Sequence, residues 1–277
     1  LRVFQVDSFT DKVFSGNPAA VCLLETAAPD DWMQSVAREM NLSETAFVAS
    51  ASDGLGPAFH LRWFTPRSEV ELCGHATLAT AHVLWETGTL DHDTAASFQT
   101  LSGVLTARKI GAEIELDFPS RVPSVAGSPP GLEEAMGVAP VSVAAVERDY
   151  LIELATEREV RGASPDFARL ESLNVEATII TSLSSSDDYD FVSRFFSPKM
   201  GVNEDPVTGA AHCVLAPYWC ERLGRHELVG YQASSRGGTV RVRLVADRVR
   251  LAGKAVTVME GELVSAPPAE HGSQSAA

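Results

Sequence analysis

Residues 59–82, FHLRWFTPRSEVELCGHATLATAH, and residues 191–214, FVSRFFSPKMGVNEDPVTGAAHCV, carry one plan written twice. Each runs as a strand, a Pro turn, an acidic loop and then a helix of small residues. Phe64-Thr65-Pro66 matches Phe196-Ser197-Pro198 at an offset of 196 − 64 = 132, and Cys73 falls on Asp205 at the same offset. Farther on, Phe98-Gln99-Thr100 matches Tyr231-Gln232-Ala233 at 231 − 98 = 133. Both copies then enter alternating strands, residues 104–108 and 240–244. Three matches in register, at nearly half the chain length, point to a duplicated fold rather than to a chance likeness of two strand–helix units.

Working outward, residues 119–131, PSRVPSVAGSPPG, are rich in breakers and read as a linker between the copies. The expected division is an N-terminal half over 1–120, with a central helix from about 74, and a C-terminal half over 121–265, with a central helix from about 206. The last strand is expected to return to the first half. Short β runs are predicted at 2–9, 19–24, 45–49, 150–155, 177–181 and 248–251. A further helix is predicted over 30–40, acidic at its start and apolar at Trp32, Val36 and Met40. The Ala, Gly and Thr content of the two repeated helices suits close wrapping by sheet. The fold class is therefore α+β: two pseudo-symmetric α/β barrels, each a curved sheet around a central helix. The polar tail over 266–277 reads as disordered.

Composition narrows the function. The 277 residues are 45% hydrophobic and 21% charged, with a formal net charge of −15 and a pI near 4.8. Nucleic acid needs a basic face, and membrane surfaces are usually anionic, so neither is an expected partner. No apolar run approaches the roughly 18 residues of a membrane span, and Leu1 opens no signal-like segment. Cys22, Cys73, Cys213 and Cys220 are scattered, without CxxC pairing, which reads as a reducing, cytoplasmic setting. The expected partner is a small molecule.

Helices that begin at matching places of a duplicated fold can both aim their N-termini at the cleft between the copies. Free N–H groups and the helix dipole make each start an anion site, suited to a substrate carboxylate. Gly74 and Gly209 would let a ligand approach the backbone. Glu44, between Leu42 and Phe47, could have a raised pKa and move protons. On spacing alone the plain alternative, a solvated Glu opening a strand, is the commoner. Cys73 at a helix start is expected to have a lowered pKa and could serve as a base, or simply pack beneath its loop. His75 adjoins it, yet no ligand pair stands at metal spacing, so no metal is expected. His212 reads as core.

Asn41-Leu42-Ser43-Glu44-Thr45, Cys73-Gly74-His75-Ala76-Thr77 and residues 201–212, GVNEDPVTGAAH, resemble the three signature segments of the phenazine-biosynthesis (PhzF-like) family. Gly16-Asn17-Pro18-Ala19 and residues 232–238, QASSRGG, are similar to it as well, and the likeness runs from Val3 to about Leu263. The resemblance implies a diaminopimelate-epimerase-like fold, a homodimer, and an isomerase without metal or organic cofactor. It gives Glu44 the proton shuttle, with His75 and Asp205 assisting. Substrate contacts are expected from Asn17, Ser43, Cys73, Gly74, Thr208, Gly209, Ala210, Arg236 and Gly237. Racemases of this fold place opposing cysteines at the two helix starts. Here those positions are read as Cys73 and Asp205, which breaks a two-thiol pair. Ala210, where many relatives carry Ser, removes one hydrogen bond to substrate. Two alternatives stay open: an amino-acid epimerase using Cys73 with Glu44 or Asp205, and a binding or regulatory protein without turnover.

Overall fold

The computed structural model describes residues 1–51 and 58–267; most of the tail read as disordered, residues 268–277, lies outside the described residues. The first copy contains β1 (Arg2–Ser8), β2 (Asn17–Leu24), α1 (Asp30–Met40), β3 (Glu44–Ser50), β4 (Ala58–Phe64), β5 (Glu69–Val70), α2 (Gly74–Glu86), β6 (Ala96–Thr100), β7 (Gly103–Ile110), β8 (Glu113–Pro119) and β9 (Ser124–Val125). The second contains α3 (Leu132–Met136), β10 (Ser142–Val146), β11 (Asp149–Glu153), α4 (Glu157–Gly162), α5 (Phe167–Ser172), β12 (Ala177–Leu183), β13 (Phe191–Ser197), β14 (Val202–Asp205), α6 (Gly209–Leu223), β15 (Glu227–Gln232), β16 (Gly238–Val245), β17 (Arg248–Gly253) and β18 (Ala255–Glu262).

The strand pairings repeat in order. In the first copy β2 runs parallel to β3, β3 antiparallel to β4, and β4 antiparallel to β5 but parallel to β6. In the second, β11, β12, β13, β14 and β15 pair in the same senses. Each parallel step needs a crossover, and helices supply it: α1 for β2–β3, α4 and α5 for β11–β12, α2 and α6 for the two later steps. The ends are exchanged. β9, inside the stretch read as a linker, pairs with β10, while the last strand β18 returns to β1. β8 and β17 join the copies edge to edge.

The ladders also correct the sequence register. Phe59 pairs with Phe98 in one copy, and Phe191 pairs with Gly230 in the other. The offset is 132 at both places, so matching Phe98 to Tyr231 is wrong by one residue. Because side chains alternate across a strand, that slip exchanges faces: Phe98 is buried, whereas Tyr231 points to the other side and is half-buried.

Helices α2 and α6 are buried on nearly all faces, as their small residues require. Trp85 of α2 packs in one apolar cluster with Phe4, Phe59 and Phe98, and Trp219 of α6 in the same cluster stacks on Phe191. Pro217 inside α6 has no N–H, so the carbonyl of Cys213 loses its helical donor; the N–H of Arg121, on the segment joining the copies, takes its place at 3.0 Å. Helix α6 begins at Gly209, three residues later than expected.

Candidate active site

Glu44 opens β3 beside Ala19 of β2, at the end of the strand nearest the start of α2. Its side chain is only 18% exposed and that of His75 only 6%. His75 Nε2 lies 3.2 Å from Glu44 Oε2, out of line for a hydrogen bond, and both buried atoms lack a hydrogen-bond partner among the described residues. His75 Nδ1 faces Cys73 Sγ at 3.5 Å, and the Cys73 thiol donates to Glu44. Ser8 Oγ holds the His75 carbonyl at 2.8 Å.

Burial sets the charges here. It drives His75 down to about 3, so the ring is neutral and its contact with Glu44 is not an ion pair. Burial, then the charge of Asp205, pushes Glu44 up to about 8 against the opposing Cys73 bond. At neutral pH Glu44 is therefore mainly a carboxylic acid. Cys73 departs from expectation. Although it precedes α2 and receives the Ala76 N–H, burial first and the Glu44 carboxylate second push its thiol well above the usual range. Removal from water outweighs the helix dipole, so Cys73 stays a thiol.

Asp205 ends β14 and is wrapped by donors from both copies. Asn17 Nδ2 donates to Oδ1 at 2.9 Å and Thr208 Oγ1 to Oδ2 at 2.5 Å. Burial still dominates and raises Asp205 to about 6; the Thr208 and Asn17 bonds oppose it, and the charge of Glu204 adds to it. Asn17 also donates to the Val207 carbonyl at 2.8 Å.

The two helix starts meet. A methyl placed on Gly74 would sit 3.5 Å from Cα of Gly209, and one on Gly209 equally 3.5 Å from Cα of Gly74. The residue before Gly74 is Cys73 and the residue before Gly209 is Thr208, so Thr208 is the counterpart of Cys73. The ladders agree: Trp63 pairs with Val70 and Phe195 with Asp205, which makes Val70 the counterpart of Asp205. Reading Asp205 at the second cysteine position was out by three residues, although the two-thiol pair is broken all the same. The pairings Thr45–Phe64 and Thr178–Phe196 likewise put Ala177 opposite Glu44, and the helix numbering puts Ala210 opposite His75. One device is kept in both copies. Thr77 Oγ1 returns to the Cys73 carbonyl at 2.5 Å, and His212 Nδ1 donates to the Thr208 carbonyl at 2.8 Å.

Glu44, Cys73, Gly74, His75, Asn17, Asp205, Thr208 and Gly209 thus converge, with half-buried Ser43 next to Glu44 and exposed Ala210 one residue inside α6. Arg236 and Gly237 stand one layer back. Arg236 bonds Asp7 Oδ1 and the Ser15 and Gly16 carbonyls, and the Gly237 carbonyl accepts the Gly16 N–H. They brace the loop leading to Asn17 and line a separate cavity of about 400 Å3 with Phe9, Lys12 and Tyr231. Gly16 itself is in the left-handed region at φ 63°, and a Cβ there would meet the Ser8 carbonyl at 2.1 Å. Sequence reasoning passed over Gln232, although it stands in the QASSRGG segment. It also passed over Thr77, the last residue of the Cys73–Thr77 segment, and Asp7 and Ser8, for which no local motif speaks. The donor atoms of Glu44, Cys73 and His75 lie within 4.8 Å of one another, a group of metal-binding types. The single imidazole, however, turns Nδ1 to the sulfur and Nε2 to the carboxylate, and one ion takes only one of them.

The sequence profile described as "Phenazine biosynthesis-like protein" matches residues 6–261. An uncharacterized isomerase of Halalkalibacterium halodurans is 51% identical, the match covering 95% of this chain and 98% of that protein. The crystal structure of a phenazine biosynthesis protein of the PhzF family from Enterococcus faecalis superposes with a TM-score of 0.88 at 41% identity, covering 95% of this chain and 98% of that one. A predicted epimerase from Pseudomonas aeruginosa shares the fold, with a TM-score of 0.72 at 23% identity over 96% of this chain and 99% of that one.

Proposed function

The chain belongs to the phenazine biosynthesis-like protein family, and from that premise we propose that it is a cofactor-independent isomerase that moves a proton at a carbon beside a carboxylate, with Glu44 as the acid/base. The relatives support an isomerase-type enzyme. The finer reading is carried by one observation: Glu44 is a buried carboxyl raised to about 8, with an unpartnered oxygen, beside two converging helix starts. A carboxyl near neutrality can both take and return a proton, the requirement for a shuttle that ends as it began. The N–H groups at Gly74 and Gly209 would hold the substrate carboxylate and the charge that develops when the proton leaves. His75 is neutral, so it puts no opposite charge beside Glu44 to pull its pKa back down. Asp205, ionising first, keeps the Glu44 proton mobile near pH 8. The thiol epimerase reading is weaker on this geometry, because Cys73 is held protonated and Thr208 stands where the opposing thiol would be.

The test begins with a thermal-shift screen of small carboxylates, since a ligand bound only by the native state raises stability. With a ligand in hand, exchange of its carbon-bound hydrogen in deuterated water is followed by NMR. Glu44→Gln should fold, bind, and lose exchange by about 10²–10⁴-fold. Exchange at the parental rate would sink the assignment. In the parent the rate should climb between about pH 6 and 8 as Glu44 ionises.

A further inference from the structure

We propose that Gln232 is a positioning residue that sets the direction of the Thr208 hydroxyl and thereby keeps Asp205 turned and charged toward Glu44; this rests on the reading of Glu44 given above. Gln232 is the last residue of β15 and is wholly buried. Its Oε1 accepts the Thr208 N–H at 2.9 Å, and its Nε2 donates to the Asp205 carbonyl at 2.7 Å and to Thr208 Oγ1 at 3.1 Å. The amide can sit only this way round: an N–H must meet its oxygen, and a carbonyl must meet its nitrogen. Thr208 Oγ1 has one proton. With Gln232 donating into one of its lone pairs, that proton goes to Asp205 Oδ2, 2.5 Å away. Gln232 therefore bolts both ends of the 205–208 turn and, through the hydroxyl, supplies half of the donors that hold the Asp205 charge. Asn17 supplies the other half.

The titratable groups around Asp205 are Glu204 on its own strand, Glu44 from β3, and Cys73 and His75 from the start of α2, with His212 behind Thr208 in α6. Glu204 is paired with Arg194 at 2.7 Å, and His75 and His212 are neutral, so the Asp205–Glu44 pair is what a change at Gln232 moves. Losing the Thr208 donor raises Asp205; a less charged Asp205 in turn lets Glu44 ionise at lower pH.

The experiment is a carboxyl-carbon NMR titration of Asp- and Glu-labelled protein, with Asp205→Asn and Glu44→Gln supplying the assignments. No substrate is needed, so failure here is separate from failure of Glu44→Gln to lose exchange. Gln232→Met and Thr208→Val should each raise the Asp205 midpoint by about one pH unit. The double variant should do no more than the larger single, because both act on Asp205 through the same Thr208–Asp205 hydrogen bond. An unmoved midpoint in a folded Gln232→Met, or single effects that add, would overturn the proposal. The parent gives a check that does not depend on a variant folding: the side-chain amide protons of Gln232 should shift with pH at the Asp205 midpoint. Amide signals that stay flat through it would also overturn the proposal.

Discussion

Around the start of α2 stand Glu44, Cys73 and His75; at the matching places around α6 stand Ala177, Thr208 and Ala210, while Asp205 answers to Val70. The two copies keep what belongs to the backbone. Both have a glycine at the first helical position, packed close to the glycine of the other helix start, and a side chain one turn on that bonds back to the capping carbonyl. They differ in everything that titrates. The titratable groups are divided between the copies: Glu44 stands on one and Asp205 on the other. The division has a physical use. Burial raises both carboxyls, and the charge of Asp205 adds to the shift of Glu44, so Asp205 ionises first and Glu44 is left near neutrality.

Stability gives the largest test of this asymmetry beyond the activity of Glu44→Gln. Glu44 titrates near 4.5 in the unfolded chain and about 8 in the folded one. Its raised pKa means the neutral acid is favoured on folding. Its contribution to stability is full below about pH 4.5 and is lost progressively as pH rises to about 8. Glu44→Gln removes that loss. Denaturant unfolding should find the variant more stable than the parent by roughly 3–5 kcal/mol at pH 8–9, with the difference closing toward pH 4.5. Equal stabilities at pH 9 would mean that Glu44 is not held as an acid. Its counterpart Ala177, changed to Gln, should show no gain that depends on pH.

The shared glycines test the symmetry instead. Gly74→Ala and Gly209→Ala each meet the other helix at an ordinary contact distance, so each alone should change stability by about 1 kcal/mol or less. Together the two methyls point at each other's backbone, and the double variant should lose roughly 1–3 kcal/mol more than the sum. Additive losses would show that the two helix starts do not touch in solution. Carboxylate binding, read by thermal shift, should weaken in both singles.

A smaller effect is expected from Cys73→Thr, which makes the two helix starts alike. Exchange should fall only several-fold, and Cys73 in the parent should alkylate no faster than Cys220, because its thiol is pushed well above the ordinary range. Loss of all turnover with binding intact would instead revive the thiol-based epimerase. The smallest effect is expected from chelators: prolonged dialysis against them should leave exchange unchanged, and a loss restored by zinc would assign a metal to Glu44, Cys73 and His75.

Much of this could be read in the chain. Helix α1 and the strands around it show in acidic starts, apolar periods and breakers, and the predicted runs fall within a residue or two of β1, β2, β3, β11, β12 and β17. Helices α3, α4 and α5 did not show, since five or six residues are too few to display an apolar face. Only the Thr156/Glu159 capping box marks one of them. The site motifs were legible as motifs, but their pairing was not. From Pro66 to Cys73 is 7 residues and from Pro198 to Thr208 is 10, and the short helical turn Pro198–Met200 falls in the longer interval. A constant offset steps over that insertion and lands on Asp205.

By itself the sequence determined the longer helices, the duplication and the presence of small residues where sheet wraps helix. These follow from local propensity and period, and each is written within a few dozen residues. The charge states of the site were decided only by the tertiary structure. Whether Cys73 is a thiolate depends on how completely it is shut from water and on Glu44 and Asp205, which lie 29 residues before it and 132 after it. The helix start, which is all the local sequence displays, argues for a thiolate; burial among distant carboxyls is the stronger effect and reverses it. Glu44 is its counterpart: an ordinary acid in the extended chain, and a carboxyl that titrates near pH 8 once β3, α2 and β14 close around it.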